Sequence, residues 1–183
     1  MEKVELMPEL LELFRQQGYE GVSIAHLSKA TGLGKSSLYH HFPGGKEQMA
    51  KEVLDYVHAA VKQYFVSTLK AAGEPREKLS QMAKVVESFY EFGRKGCLIE
   101  GLTLGETSAP FQHQVAQSLE AWIDAIAEVG VEAGLNKKLA KERAESALIA
   151  IQGGLIVSRA LRNYQVFKRV TKSLPSIVLD GHE

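Results

Sequence analysis

Ser23-Ile-Ala-His-Leu-Ser-Lys-Ala-Thr-Gly-Leu-Gly-Lys-Ser-Ser-Leu-Tyr-His-His-Phe42 is the stretch that decides how this chain is read. It predicts two short helices joined by a tight turn. Ser23 is an N-cap, its hydroxyl able to accept an orphan backbone N–H of the first turn. Ile24, Leu27 and Ala30 recur at helical spacing and give that helix one apolar face. Thr31-Gly32 ends it, Gly32 supplying the left-handed conformation required just past a helix end. Leu33 is the expected buried peg of the turn, and Gly34 opens the next helix. There Leu38 and Phe42, four residues apart, share an inward face, while Lys35 with Tyr39 and Ser36 with His40 lie on adjoining outward rows. The outward face gathers a cation, a hydroxyl, a phenol and an imidazole. Such groups suit phosphates and base edges, on a helix thin enough for the major groove.

Within that stretch and just beyond it, Gly32-Leu-Gly-Lys-Ser-Ser-Leu-Tyr-His-His-Phe-Pro-Gly-Gly-Lys46 resembles the helix-turn-helix signature of the tetracycline-repressor (TetR/AcrR) regulators. Phe14, Gly18, Tyr19 and Ile24 stand where that family keeps upstream core residues. The resemblance covers about the first 50 residues and continues afterwards only as length and helical pattern. The Phe-Pro-Gly-Gly-Lys turn followed by Glu-Gln-Met is similar to a subgroup that includes regulators of drug-efflux and antibiotic-resistance genes. Two features depart from the family. Gly34 stands where Ser or Thr is frequent, and the turn before Lys46 is one residue longer than the commonest form. The resemblance implies an all-α fold, with a helix-turn-helix domain over 1–45 and a helical bundle for ligand binding and dimerisation over 46–183. It also implies DNA contacts from Ser23, Thr31, Lys35, Ser36, Ser37, Tyr39, His40 and Lys46, with His41 as a structural neighbour.

At 183 residues the chain is long enough to bury a real core. Hydrophobic residues make up 45% and charged residues 24%, which places it among globular rather than disordered chains. A single cysteine excludes an internal disulfide and suits a reducing cytosol. The start lacks a basic-then-apolar signal pattern and no apolar run is long enough to span a bilayer, so the expectation is a cytoplasmic protein with no membrane partner. The net charge of zero does not announce a nucleic-acid binder. Its distribution is more favourable: Lys29, Lys35, Lys46 and Lys51 face only Glu47 between residues 22 and 51, while the first helix carries Glu2, Glu5, Glu9 and Glu12.

Along the chain, residues 4 to 18 predict a helix with Leu6, Leu10, Leu13 and Phe14 inward and Gly18 as its stop. Pro8 either sits in the first turn or kinks a longer helix. A long helix from Lys46 to about Ala72 carries the apolar stripe Met49, Val53, Val57, Val61, Tyr64 and Leu69. Pro75 opens the next helix and Gly96 breaks it. A short helix set in loops follows, with Gly101, Gly105 and Pro110 among its residues. Further helices are expected from Phe111 to about Gly134, from Leu139 to Asn163, and from Phe167 to Leu174 before a frayed tail. No strand-like alternation interrupts this pattern.

Three constellations remain. Trp122, Met82, Phe89, Tyr90 and Phe92 put much aromatic area on two middle helices, beside a Gly-rich loop holding Cys97. They read either as core or as the wall of a pocket for an apolar, aromatic effector. Cys97 itself reads as a small buried hydrophobe or as a redox or electrophile sensor. Ala147, Ala150, Ile151, Gly154, Leu155 and Ser158 lie on a helix that is apolar almost all round, where small residues allow a close helix neighbour. They form a central core helix or, as the resemblance implies, the homodimer interface. Enzyme signals are weak: Asp55 and His58 are the only helix-spaced carboxylate–imidazole pair, and neither a phosphate loop nor a nucleophile elbow is present. No cofactor or metal is expected. The reading is a DNA-binding transcriptional regulator, a repressor that binds a palindromic double-stranded DNA operator as a dimer and leaves it on binding a small molecule. The alternatives are a helical-bundle carrier or enzyme with a structural helix-turn-helix, and a ligand-blind DNA-binding protein.

Overall fold

The computed structural model describes residues 2–103 and 106–181; Gly105 and residues 182 and 183 of the expected tail lie outside them. The described residues are helical or in turns, with no strand. The helices are α1 (Lys3–Gly21), α2 (Ile24–Thr31), α3 (Lys35–His41), α4 (Gly45–Ala60), α5 (Ser67–Lys70), α6 (Pro75–Phe89), α7 (Leu98–Thr103), α8 (Gln112–Glu132), α9 (Lys137–Ala160) and α10 (Gln165–Leu179). A π-helical segment, Val61–Val66, joins α4 to α5, and 3-10 turns occupy Glu91–Gly93 and Glu106–Phe111. Among the described residues no helix is long and apolar enough to cross a membrane.

Two compact units form, one from Met1–Ala59 with Cys97–Gln117 and the other from Ala60–Gly96 with Ser118–Glu183. Compactness therefore does not divide the chain at residue 45. The reason lies in α1 and α7. Helix α1 starts at Lys3 with the Glu2 N–H donating to the Glu5 carboxylate (2.6 Å), and Pro8 sits inside it. Leu6, Met7, Leu10, Leu11 and Phe14 form its buried face. Gly18 ends the regular helix at φ 67°, and α7 returns from far along the chain to pack there. Gly18 and Gly101 meet backbone to backbone: a Cβ on Gly101 would lie 2.9 Å from the Phe14 carbonyl oxygen and 3.1 Å from Gly18 Cα.

The long helix after α3 departs from its expected stripe at one point. Met49, Val53, Val57, Val61, Phe65 and Leu69 are buried, and Tyr64 is exposed. A repeat of four carries the stripe about 40° round a regular α-helix at each step. The wider i→i+5 spacing of Val61–Val66 takes up that drift and turns Phe65 inward in place of Tyr64.

In the second unit α10 packs on α9 and α6. It is longer than its expected span and includes Pro175. Two glycines set this packing. A Cβ on Gly154 would meet Val170 Cγ2 at 3.2 Å, and one on Gly93 would meet Phe167 Cβ at 2.7 Å and Ser158 Oγ at 2.8 Å.

The glycine contact in the first unit gives a direct test. Gly101→Ala should lower the stability of the folded chain by about 1–3 kcal/mol through overpacking, read as a lower urea midpoint with an unchanged slope. An unchanged midpoint would mean that α7 does not need this close approach.

Candidate nucleic-acid interface

Helix α2 is capped as its sequence predicts. Ser23 Oγ accepts from the His26 N–H at 3.2 Å, and the Ser23 N–H donates back to His26 Nδ1 at 3.4 Å. His26 thus takes the place usually held by Glu or Gln in a reciprocal cap. Nothing in the hydrophobic pattern signals this role; its position three residues after Ser23 does. Gly32 is left-handed at φ 69°. Leu27 is fully buried, whereas Ile24 and Leu33 are half-buried and Ala30 is exposed, so one residue carries most of the expected apolar face.

Thr31 is buried and belongs to the turn rather than to an outward surface. Its hydroxyl donates to the Leu27 carbonyl at 2.8 Å and accepts from the Leu33 N–H at 3.4 Å. The Ser28 hydroxyl holds the Leu33 carbonyl from the other side. The expected DNA contact from Thr31 is therefore corrected to a turn-locking role, because both faces of its oxygen are in use.

Helix α3 opens at Gly34 without a side-chain cap and is anchored by the fully buried Leu38 and Phe42. Lys35, Ser36, Ser37, Tyr39 and His40 are all exposed. Among the described residues none gives Lys35, Ser36, Ser37 or His40 a side-chain hydrogen bond or ion pair. The Tyr39 ring lies along the backbone of Gly45, with Cε1 3.3 Å from where a Cβ there would stand. A left-handed φ of 65° and this contact together make a glycine fit position 45, where the Tyr39 ring comes close.

Lys46 also departs from expectation. Its ammonium donates to the Tyr19 and Val22 carbonyls, both at 3.0 Å, and lies 4.2 Å from the centre of the Tyr19 ring. It is half-buried and two of its three N–H donors serve the end of α1, which gives it a structural role beside the phosphate contact expected of it. Burial, with Glu47 nearby, pushes the Tyr19 phenol above its ordinary value. Lys51 is paired with Glu47 at 2.7 Å. Lys29 and Lys35 are left as the exposed lysines of this region.

The aromatic group is partly brought together. Trp122 is 3% exposed, and its ring centre lies 4.7 Å from that of Phe65. Phe65 stands edge-on to Phe89 at 5.2 Å, and Phe89 edge-on to Tyr90 at 5.0 Å. Met82 is buried on the same helix as Phe89. Phe92 does not belong to this group: its φ of 58° turns it outward, where it is 53% exposed. Cys97 is buried in the other compact unit. Asp55 accepts from Gln114 Nε2 at 2.7 Å.

The face of α9 is reversed from expectation. Ala147, Ile151, Gly154, Leu155 and Ser158 are buried within the chain's own fold, and only Ala150 is partly open. The uncovered apolar side chains are Ile149, at 70% exposure, with Ile156, Val157 and Leu161, the last at 65%. Small residues face inward because α10 approaches there.

A capped helix, a left-handed glycine turn and a second helix held by two buried side chains, with polar groups outward, define a helix-turn-helix DNA-binding protein. Residues 9–53 match the pattern of the bacterial regulatory proteins of the tetR family, and residues 91–173 match the LmrA/YxaF-like transcriptional regulator C-terminal domain. Over 181 residues the chain is 26% identical to the HTH-type transcriptional regulator LmrA of Bacillus subtilis (strain 168), covering 95% of each. The fold superposes on a TetR transcriptional regulator from Legionella pneumophila with a TM-score of 0.84 at 18% identity, over 97% of this chain and 98% of that one. A TM-score of 0.74 at 22% identity, over 95% and 96%, relates it to the TetR-family regulator CifR, in a structure with 26-bp operator DNA. The chain belongs to the TetR family of transcriptional regulators. It is a DNA-binding regulator and not an enzyme.

Lys46→Met, which keeps most of the stem and removes the charged donor, should cost about 1.5–3 kcal/mol of stability. Chemical denaturation checks this. A variant as stable as wild type would return Lys46 to the list of free cations.

Proposed function

We propose that the protein is a repressor that binds a palindromic operator as a homodimer and is released by a small apolar, aromatic molecule. Residues 1–45 carry the DNA-reading function, and 46–183 carry the dimer contacts and the effector site. The observation that carries the DNA reading is the exposed polar face of α3: Lys35, Ser36, Ser37, Tyr39 and His40 stand exposed on a helix anchored from its other side by the buried Leu38 and Phe42. These residues make the base and phosphate contacts. Ser23, at the N-terminus of α2, contributes through its cap. A protein that works at an operator acts in the cytoplasm.

Dimerisation is supported by the outer face of α9. Ile149, Gly153, Ile156 and Ala160 recur at four, three and four residues and are all exposed, and Val166, Val170 and Ile177 of α10 are only half-buried. A stripe of this length on two neighbouring helices fits a four-helix contact with a second copy. The symmetric pairing in turn sets the two recognition helices about one DNA turn, roughly 34 Å, apart.

An operator selected from a random-sequence duplex pool tests the DNA assignment. Lys35→Ala and Tyr39→Phe should each weaken its binding by about 1–3 kcal/mol without loss of helicity. With few free lysines per half-site, the slope of log affinity against log salt should be shallow but clearly negative. Wild-type affinity in both variants would remove α3 from the contact surface.

The dimer assignment has its own test. Ile156→Glu should shift sedimentation to the monomer and abolish operator binding while the fold persists. Gly154→Leu should instead lower stability by about 1–3 kcal/mol, since its Cβ faces Val170 and Phe167. A dimeric, operator-binding Ile156→Glu variant would place the interface elsewhere.

A further inference from the structure

Trp122 carries a polar atom that its surroundings do not use. The side chain is 3% exposed, and its Nε1–H is buried with no hydrogen-bond acceptor among the described residues. An indole can only donate, and a buried Trp N–H ordinarily finds a partner. Here the ring neighbour is Phe65, at 4.7 Å and tilted 39°, followed by Phe89. Neither ring offers an acceptor atom. A donor held dry without a partner is destabilising, and native proteins keep such groups mainly where something else supplies the acceptor.

The segments around it are the irregular ones of this unit. Phe65 projects from the π-helical segment, whose hydrogen-bond spacing differs from the helices on either side. Phe89 is the last residue of α6 and is only half-buried. Just beyond it Glu91, Phe92 and Gly93 are all left-handed, at φ 46°, 58° and 90°. Two of those three carry side chains that disfavour this conformation, and strain of that kind collects at ligand clamps. The π segment and this turn thus supply Phe65 and lead away from Phe89, the two rings that would have to part for a planar guest to reach the indole.

We propose that the Trp122 Nε1–H is the polar anchor of the effector site, and that the effector is a planar, uncharged aromatic molecule presenting a carbonyl-type acceptor oxygen. The proposal rests on the small-molecule-release reading and adds to it the chemical class of the molecule. Ring faces from Phe65 and Phe89 supply stacking area, and the lone donor selects for one acceptor. An anionic guest is disfavoured because the two neighbouring rings give it no counter-charge for its desolvation.

Fluorenone and fluorene make a matched pair of probes, with the same ring frame with and without the acceptor. Trp122 is the only tryptophan, so 15N-tryptophan labelling gives a single indole cross-peak. Fluorenone should move that peak downfield and bind about tenfold more tightly than fluorene, a preference worth roughly one hydrogen bond. Trp122→Phe should bind both probes alike, with a thermal transition confirming that it is folded. Equal binding of the probes to wild type, a preference that survives in Trp122→Phe, an unmoved indole peak at saturation, or no binding of either probe would each overturn the proposal. Operator affinity measured in parallel separates the two readings. A shifted indole peak with unchanged operator affinity upholds the anchor and removes the release mechanism. Release by fluorene and fluorenone alike, with the peak unmoved, removes the anchor and keeps the mechanism.

Discussion

One ammonium group holds the DNA-reading unit in register. Lys46, at the start of α4, donates to the Tyr19 and Val22 carbonyls while resting on the Tyr19 ring. Those carbonyls belong to the last turn of α1 and the link into α2, where orphan acceptors accumulate. A single side chain therefore ties together the end of α1, the approach to α2 and the first turn of α4. Lys3 reinforces the arrangement from the other end, pairing with Glu52 at 2.7 Å and lying 4.9 Å from the centre of the Phe42 ring. Leu38 and Phe42 bury α3 from below, and its polar face is presented by default.

This use of cations leaves an electrostatically modest DNA reader. Lys46 is half-buried against backbone carbonyls, Lys51 is matched with Glu47, and the exposed part of α1 is acidic. Attraction to phosphate is correspondingly small, and contacts other than net charge must decide affinity to a larger degree than in strongly basic repressors. Close contact with the Gly45 backbone fixes the Tyr39 ring beside the start of α4.

Much of this was legible in the chain. Ser23, Gly32, Leu38 and Phe42 each perform locally, through capping, a left-handed turn or an i, i+4 face, and local signals survive without tertiary information. The parts that escaped have different causes. Lys46 looks like an outward polar residue until the distant Tyr19 and Val22 carbonyls are brought beside it, whereas Thr31 is turned inward by Leu27 and Leu33, only four and two residues away. Tyr64 and Phe65 are both aromatic and adjacent, and the change of helical spacing turns Phe65 inward. The small residues of α9 point to close helix contact correctly, but composition cannot say whether the neighbour is α10 or another copy; the glycine at 154 is filled by Phe167 and Val170. The aromatic group could be named but not sorted, because the left-handed turn after α6 is what sends Phe92 away from Phe89.

The meeting of Gly18 with Gly101 has a consequence for how the protein is made. The unit that reads DNA is not finished when its own helices have been synthesised, because α7 and the residues up to Gln117 complete it. At about 5–20 residues per second, several seconds separate the emergence of α3 from the arrival of its last supporting element. Through that interval the buried face of α1, with Phe14 at its centre, waits for a partner still on the ribosome. Folding of the unit that holds the helix-turn-helix is in this way timed by the synthesis of residues 97–117.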